Sequence, residues 1–280
     1  MRETLIPRNR PDDNTLGATP GIEGREISEN EERNLREQLE LRLRFASAVS
    51  RAHKIAYTDA LKYYTDMHLR LTGELPDATE ASMTKWAKFV DMINAAESQD
   101  DVQEKVLGIY KTRINSAVDH RKDSYWPFRY DKPKGKAVSM HFGSMLMSED
   151  QPTNEPGILS AERLPEIRAK LKAMFTEIKE RYPNVEEVHG ESWLYNREAY
   201  RRFFPASYTA HPLPRTGVFV GGGTWGQFRR KDGSVNKELR AEFLRNLEHL
   251  DPDNLDAAFP LKTLRVRGPI ADFYKEYGIE

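Results

Sequence analysis

The residues equipped for chemistry gather in two stretches. In the first, VEEVHGESWLYNREAYRRFFP from Val185 to Pro205, a short apolar–polar alternation runs into His189, Gly190, Glu191 and Ser192 and then into an amphipathic helix. A strand ending in Gly-x-Ser and feeding a helix is the pattern of a nucleophile elbow, whose strained turn presents a serine at the end of a sheet. Leu194 stands where a second glycine is needed for close helix packing, so a serine hydrolase at Ser192 has an incomplete motif. Trp193, Leu194, Tyr195, Tyr200, Phe203 and Phe204 read as core, with Asn196 as the helix cap. His141 closes another alternating stretch, AVSMHFG. If the two strands are neighbours, His141, His189 and Glu191 converge on one pocket, because α/β sheets commonly bind ligands at strand ends. Imidazole suits general acid–base work near neutral pH. Lone strand histidines are more often structural.

The second stretch, VFVGGGTWGQF, sets Gly221, Gly222 and Gly223 between two expected strands. Glycines permit positive φ and close backbone approach, so their amides can face a phosphate or an oxyanion; the alternative is a plain hairpin turn. Alternation would put Trp225 and Gln227 on one face, as a pocket wall and its hydrogen-bonding group. The loop lacks the helix-opening Gly-x-Gly-x-x-Gly and the Lys-Ser/Thr of a P-loop. Arg201 and Arg202, with Arg229, Arg230 and Lys231, can contact an anionic ligand or form a solvated face. No metal site is expected: the one Glu-x-x-His, Glu186 to His189, lies on a strand, and the helices offer no paired set.

The elements that must position these groups change character along the chain. Residues 1–25 mix Pro, Gly, Asn, Asp and Arg without periodicity and read as a disordered arm. Residues 26–125 read as a helical bundle. Ser28 and Glu31 have capping-box spacing, Leu35, Leu39, Leu43, Ala46 and Val49 recur at helical period, and Gly73 closes one long helix or two broken near Ser50. Further helices are expected from Thr79 or Glu80, with Met83, Trp86, Phe89, Val90 and Ile93 on one face, and from about Asp100 to His120. Residues 126–280 alternate strands with helices: AVSMHFG, a helix stopped by Pro183, Val185 to His189, a short helix to Phe204, two strands around the glycines, a helix, a strand from Thr263 to Val266 and a closing helix. The fold expected is α+β, a helical bundle followed by a mixed-sheet α/β domain.

Composition narrows the function. Lys and Arg number 43 against 44 Asp and Glu, a balance that argues against nucleic-acid or anionic-membrane binding. With no cysteine, the chain has no disulfide, thiolate metal site or cysteine nucleophile. No segment approaches the roughly 20 apolar residues that span a bilayer, and no apolar run resembles a signal segment, so the expectation is a cytoplasmic protein.

Taken in order, AVSMHFG, the helix before Tyr182-Pro183, HGESWLYNREAYRRFFP and TWGQFRRKDG resemble a group of uncharacterised bacterial proteins with a Ser-Trp-Leu corner followed by Phe-Pro. More remotely, the strand of His141, the following helix and Ser192-Trp193-Leu194 are similar to the C-terminal domain of GNAT-like acyltransferases, in which a helical domain precedes the acyltransferase-like one. The resemblance covers roughly residues 130–280. It implies a GNAT-like topology, acyl-CoA as cofactor and acyl transfer to an amine or hydroxyl of a small molecule. His189 or Glu191 would be the base, with His141 beside them and the amides of 221–223 near the carbonyl oxygen. The chain departs from the family in lacking the Arg/Gln-x-x-Gly-x-Gly/Ala loop that holds the CoA pyrophosphate. The competing expectations are a non-catalytic binding or scaffold protein, pairing or oligomerising through its helices, and the hydrolase at Ser192.

Overall fold

The computed structural model of the chain describes residues 27–114, 125–143, 156–215 and 223–280. The expected arm, Gly221, Gly222 and the end of the third expected helix lie outside them. In chain order the helices are α1 (Glu29–His53), α2 (Tyr57–Tyr64), α3 (Met67–Thr72), α4 (Glu80–Asn94), α5 (Gln99–Ile114), α6 (Leu164–Arg181), α7 (Glu198–Arg201), α8 (Ala206–Thr209), α9 (Lys237–Glu248) and α10 (Ile270–Tyr277). The strands are β1 (Phe128–Tyr130), β2 (Ala137–Phe142), β3 (Glu187–Ser192), β4 (Leu213–Pro214) and β5 (Leu264–Pro269). None of the helices is long and apolar enough to cross a membrane.

The chain divides after Val118, Arg215 and Pro260 into two compact units. The change of character near residue 125 falls close to the first division. Residues 216–260, expected in the α/β domain, belong instead with the helices. The reason is packing: Trp225, Phe228, Phe243 and Phe259 bury in one cluster with Phe45 of α1.

In the helical unit, α1 opens on the capping box. The Glu31 N–H donates to Ser28 Oγ (3.2 Å) and the Ser28 N–H to the Glu31 carboxylate (3.1 Å), satisfying two of the free donors at the helix start. Leu39, Leu43, Ala46 and Val49 are buried, as their spacing requires. The expected long helix stops at Lys54, whose φ of 55° is left-handed, and resumes as α2 and α3 before Gly73 (φ 86°) ends the run. Thr79 caps α4, which buries Trp86, Phe89 and Ile93 while Met83, expected with them, is exposed.

The second unit is a sheet in the order β1-β2-β3-β5-β4. β2 and β3 are parallel and joined through α6; the other pairs are antiparallel. Ile167, Leu171, Met174, Phe175 and Ile178 of α6 pack with Val138, Met140, Val188 and Val266 from one face of the sheet, and with Ile270, Phe273 and Tyr277 of α10. Tyr195, Tyr200, Phe203, Phe204 and Tyr208 complete that cluster. Gly190 of β3 lies where a side chain would collide with the hydroxyls of Tyr195 and Tyr208, which hydrogen-bond to each other at 3.2 Å. β4 and β5 are arms of one hairpin, tied by the Arg215 N–H donating to the Thr263 carbonyl (2.8 Å), and its connection is the 216–260 segment built into the other unit.

Candidate active site

Strand alternation decides which polar groups share a surface. With Val138, Met140, Val188, Gly190 and Val266 turned to the core, the opposite face of the sheet carries Ser139 and His141 of β2, Glu187, His189 and Glu191 of β3, and Arg265 and Arg267 of β5. Arg129 of β1 is paired with His141. Across the face, Ser139 is paired with His189 and His189 with Arg267, so one row reads serine, histidine, arginine. One residue further along β2 and β3 than the Met140–Gly190 pair lie His141 and Glu191. The three residues expected to converge therefore do share a face on adjacent strands. It is open and solvated: the side chains of His141 and His189 are 37% and 44% exposed.

Each imidazole is held by a carboxylate. His141 Nε2 lies 2.7 Å from Asp131 Oδ2, and His189 Nε2 lies 2.9 Å from Glu187 Oε2. An ionised carboxylate only accepts, so the shared hydrogen sits on Nε2 and a neutral ring keeps its lone pair on Nδ1. The hydrogen bond from His141 is the foremost of the effects that hold Asp131 below the usual carboxylate range, and that from His189 acts likewise on Glu187. This is the arrangement in which a carboxylate orients an imidazole for proton transfer.

The other expected residues have structural employment. Glu191 is clamped by Arg215 Nη1 at 2.5 Å and Arg265 Nε at 2.8 Å. Both its oxygens are engaged, which suits it to tying β3 to β5 better than to accepting a proton. Ser192 Oγ accepts from the Leu194 N–H (3.1 Å), capping the 3-10 turn Trp193–Asn196. Trp225 and Gln227 belong to the helical unit, with only 3% and 2% of their surface exposed, on a 3-10 turn, Thr224–Phe228, where a strand was expected. Trp225 is surrounded by Phe45, Phe243 and Phe259, and Gln227 Nε2 donates to the Thr224 carbonyl at 2.9 Å. Gly223 has φ −60°, so it uses none of the left-handed freedom invoked for it. A cleft of about 360 Å³ beside α9, lined by Arg245, Asn246, Glu248, His249 and Asp251 among others, contains none of these residues. Among the described residues, no three His, Asp or Glu side chains cluster as a metal site would require.

Sequence reasoning missed Asp131, Ser139, Glu187, Arg129 and Arg267. Glu187 was within reach, since Glu-x-His-x-Glu on a strand puts all three side chains on one face. Asp131 becomes visible once FRYDKPKGKAVSMHF is read as a hairpin turning at Gly135, whose φ is +60°. Comparison with protein-family models, with curated proteins and with solved structures finds no match to the chain.

Proposed function

We propose that the open sheet face is the active surface of a small-molecule acyltransferase of GNAT-like type. The observation that carries the reading is the pair of carboxylate-held imidazoles, His141–Asp131 and His189–Glu187, on adjacent parallel strands of one exposed face. Further support comes from the β2–α6–β3 unit running into the Ser192–Leu194 corner, the order of elements that the family resemblance implies. His141 takes the role of base, because Asp131 is the less exposed of the two carboxylates, at 33% against 51% for Glu187. The acceptor amine or hydroxyl attacks the thioester carbonyl, the new C–N or C–O bond forms and the C–S bond breaks. The acceptor's proton passes to His141 Nδ1 and from there to the departing thiolate. Arg129 and Arg267 flank the two histidines and suit an anionic group on either substrate.

The test is thiol release from a panel of acyl-CoA esters with amine and hydroxyl acceptors, alongside thermal shift with CoA. Turnover that falls 10²- to 10⁴-fold in His141→Gln, and more mildly in Asp131→Asn, is the expected result. Absence of both acceptor-dependent thiol release and any CoA-induced shift refutes acyl transfer.

A further inference from the structure

Ser192, the serine whose flanking sequence suggested a nucleophile, is occupied in a turn, but the sheet holds another serine beside a histidine. Ser139 of β2 is the Cα partner of His189 of β3 in the parallel register, one strand spacing of about 4.8 Å away. Their side chains leave the same face of the sheet, since Val138 and Met140 on one strand and Val188 on the other turn to the core. Ser139 is half-buried, and its hydroxyl has no hydrogen-bond partner among the described residues. Its backbone is fixed from the other side by the Asp131 N–H, which donates to the Ser139 carbonyl at 3.0 Å.

His189 has what a general base needs. Its Nε2 donates to Glu187 Oε2 at 2.9 Å, which leaves the Nδ1 lone pair to take a proton. Glu187, two positions earlier on the same strand, orients the ring and stabilises the imidazolium that forms on proton transfer. A serine, an imidazole and a carboxylate thus follow one another as nucleophile, base and the group that orients the base, an arrangement known by its geometry whatever the chain order. Nε2 faces the carboxylate here, so Nδ1 serves the serine. Contacts of this kind tighten when substrate binds.

We infer that Ser139, His189 and Glu187 form a nucleophilic triad that hydrolyses a carboxylic ester bearing a carboxylate. Ser139 Oγ attacks the ester carbonyl and its proton passes to His189 Nδ1; the C–O bond to the alcohol breaks, and Nδ1 returns the proton to the departing alkoxide. Water then attacks the acyl-serine and gives one proton to Nδ1. The acyl–Oγ bond breaks and Oγ takes that proton back, so acid and alcohol leave and one water is consumed. Arg267, the Cα partner of His189 on β5, lies about 10 Å from Ser139 at two strand spacings. It is exposed and forms no ion pair among the described residues, unlike Arg265, which clamps Glu191. A guanidinium there fits a carboxylate set one small ring away from the scissile bond. The triad needs neither a thioester nor His141, so it stands apart from the acyltransferase reading.

The full chain is treated with a fluorophosphonate probe and the modified peptide is identified by mass spectrometry. Turnover is followed as phenol release from 4-acetoxybenzoate and from its uncharged methyl ester. No CoA ester is present, so failure here is distinct from failure of thiol release. The adduct should map to Ser139. Ser139→Ala should abolish labelling and lower ester turnover at least about 10²-fold at an unchanged thermal midpoint, and His189→Gln should slow both about 10²- to 10⁴-fold. Glu187→Gln should slow labelling by a smaller factor, also at an unchanged midpoint, and Arg267→Gln should erase the preference for the charged ester. The proposal is overturned if the probe leaves Ser139 unmodified, or if Ser139→Ala keeps its midpoint and its ester turnover. Should Ser139→Ala unfold, Ser139→Cys takes its place. Iodoacetamide should then alkylate that thiol at least about tenfold faster than when His189→Gln is added, and equal rates overturn the pairing.

Discussion

Replacing Gly190 by alanine tests the packing of β3 against the tyrosine layer beneath it. The backbone there is not left-handed, so the demand on this position is for space. The added methyl would fall on the hydroxyls of Tyr195 and Tyr208, and would also lie 3.1 Å from Tyr195 Cζ. Neither ring can swing away. Tyr195 is 1% and Tyr208 2% exposed, and around them stand Tyr200 (5.1 Å from Tyr195 between centroids), Phe204 (5.7 Å from Tyr208) and Phe273 (4.7 Å from Tyr208). Overpacking of this kind costs about 1–3 kcal/mol. Parting the buried hydroxyl pair adds about 1–3 kcal/mol more. Gly190→Ala should therefore destabilise the sheet unit by roughly 4 kcal/mol, the middle of the combined range. The assay is urea unfolding followed by near-ultraviolet circular dichroism, comparing midpoints at unchanged slope. Adding Tyr195→Phe removes one obstructing oxygen, so the double variant should lose at least about 0.5 kcal/mol less than the sum of the two single ones. A loss below about 0.5 kcal/mol in Gly190→Ala, the range of an ordinary surface change, would refute the reasoning.

Two further outcomes follow from the ionisable groups. Burial alone would push the Asp66 carboxyl up, but the guanidiniums of Arg42 and Arg70 overcome it and hold the group below the ordinary carboxylate range. Asp66→Asn should cost about 3–5 kcal/mol by stranding the buried Arg42; in the wild type the stabilisation linked to the lowered carboxyl, complete above the unfolded value of about 3.9, should fade as pH drops through the still lower folded value. Denaturant midpoints measured between neutral and strongly acidic pH check both statements. At the other extreme, burial and then the hydrogen bond to Glu177 push the Tyr125 phenol up to about 12, and Tyr130, bonded to the same carboxylate at 2.8 Å, higher still. Because the unfolded phenol ionises near 10, this stability is present below about pH 10 and is lost as pH rises toward the folded value. Phenolate absorbance that appears for Tyr125 near its unfolded value, isolated by difference from Tyr125→Phe, would contradict it.

Much of this architecture was legible in the sequence because local pattern and final environment agree. Ser28 and Glu31 announced α1, the apolar period of Ile167, Leu171, Phe175 and Ile178 announced α6, and alternation announced β2 and β3. Alternation also put His189 and Glu191 on one face, and register made His141 their neighbour. The failures have physical causes. Thr224–Phe228 looked like a strand through Trp225 and Gln227, yet Trp225 and Phe228, three apart, share the aromatic core of a 3-10 turn; full burial erases the polar face that would distinguish the two. Periodicity shows that α9 is amphipathic without saying which core receives it, so the departure of 216–260 from the sheet was invisible. The clamp on Glu191 was equally hidden, because Arg215 and Arg265 lie 24 and 74 positions away and meet it only through tertiary register.

The hairpin of β4 and β5, opened to let 216–260 build into the other unit, has a consequence for biogenesis. A chain made as far as residue 260 already holds every residue of the helical unit but lacks β5 and α10. During that interval β3 has its inner edge on β2 and its outer edge bare, with the backbone groups of Glu187–Ser192 that β5 will later engage still unpaired. Bare strand edges recruit other chains. The last twenty residues thus act as an edge protector delivered late, and loss of β5 should reveal itself first as aggregation of nascent protein, before any effect on a purified, folded chain is measured.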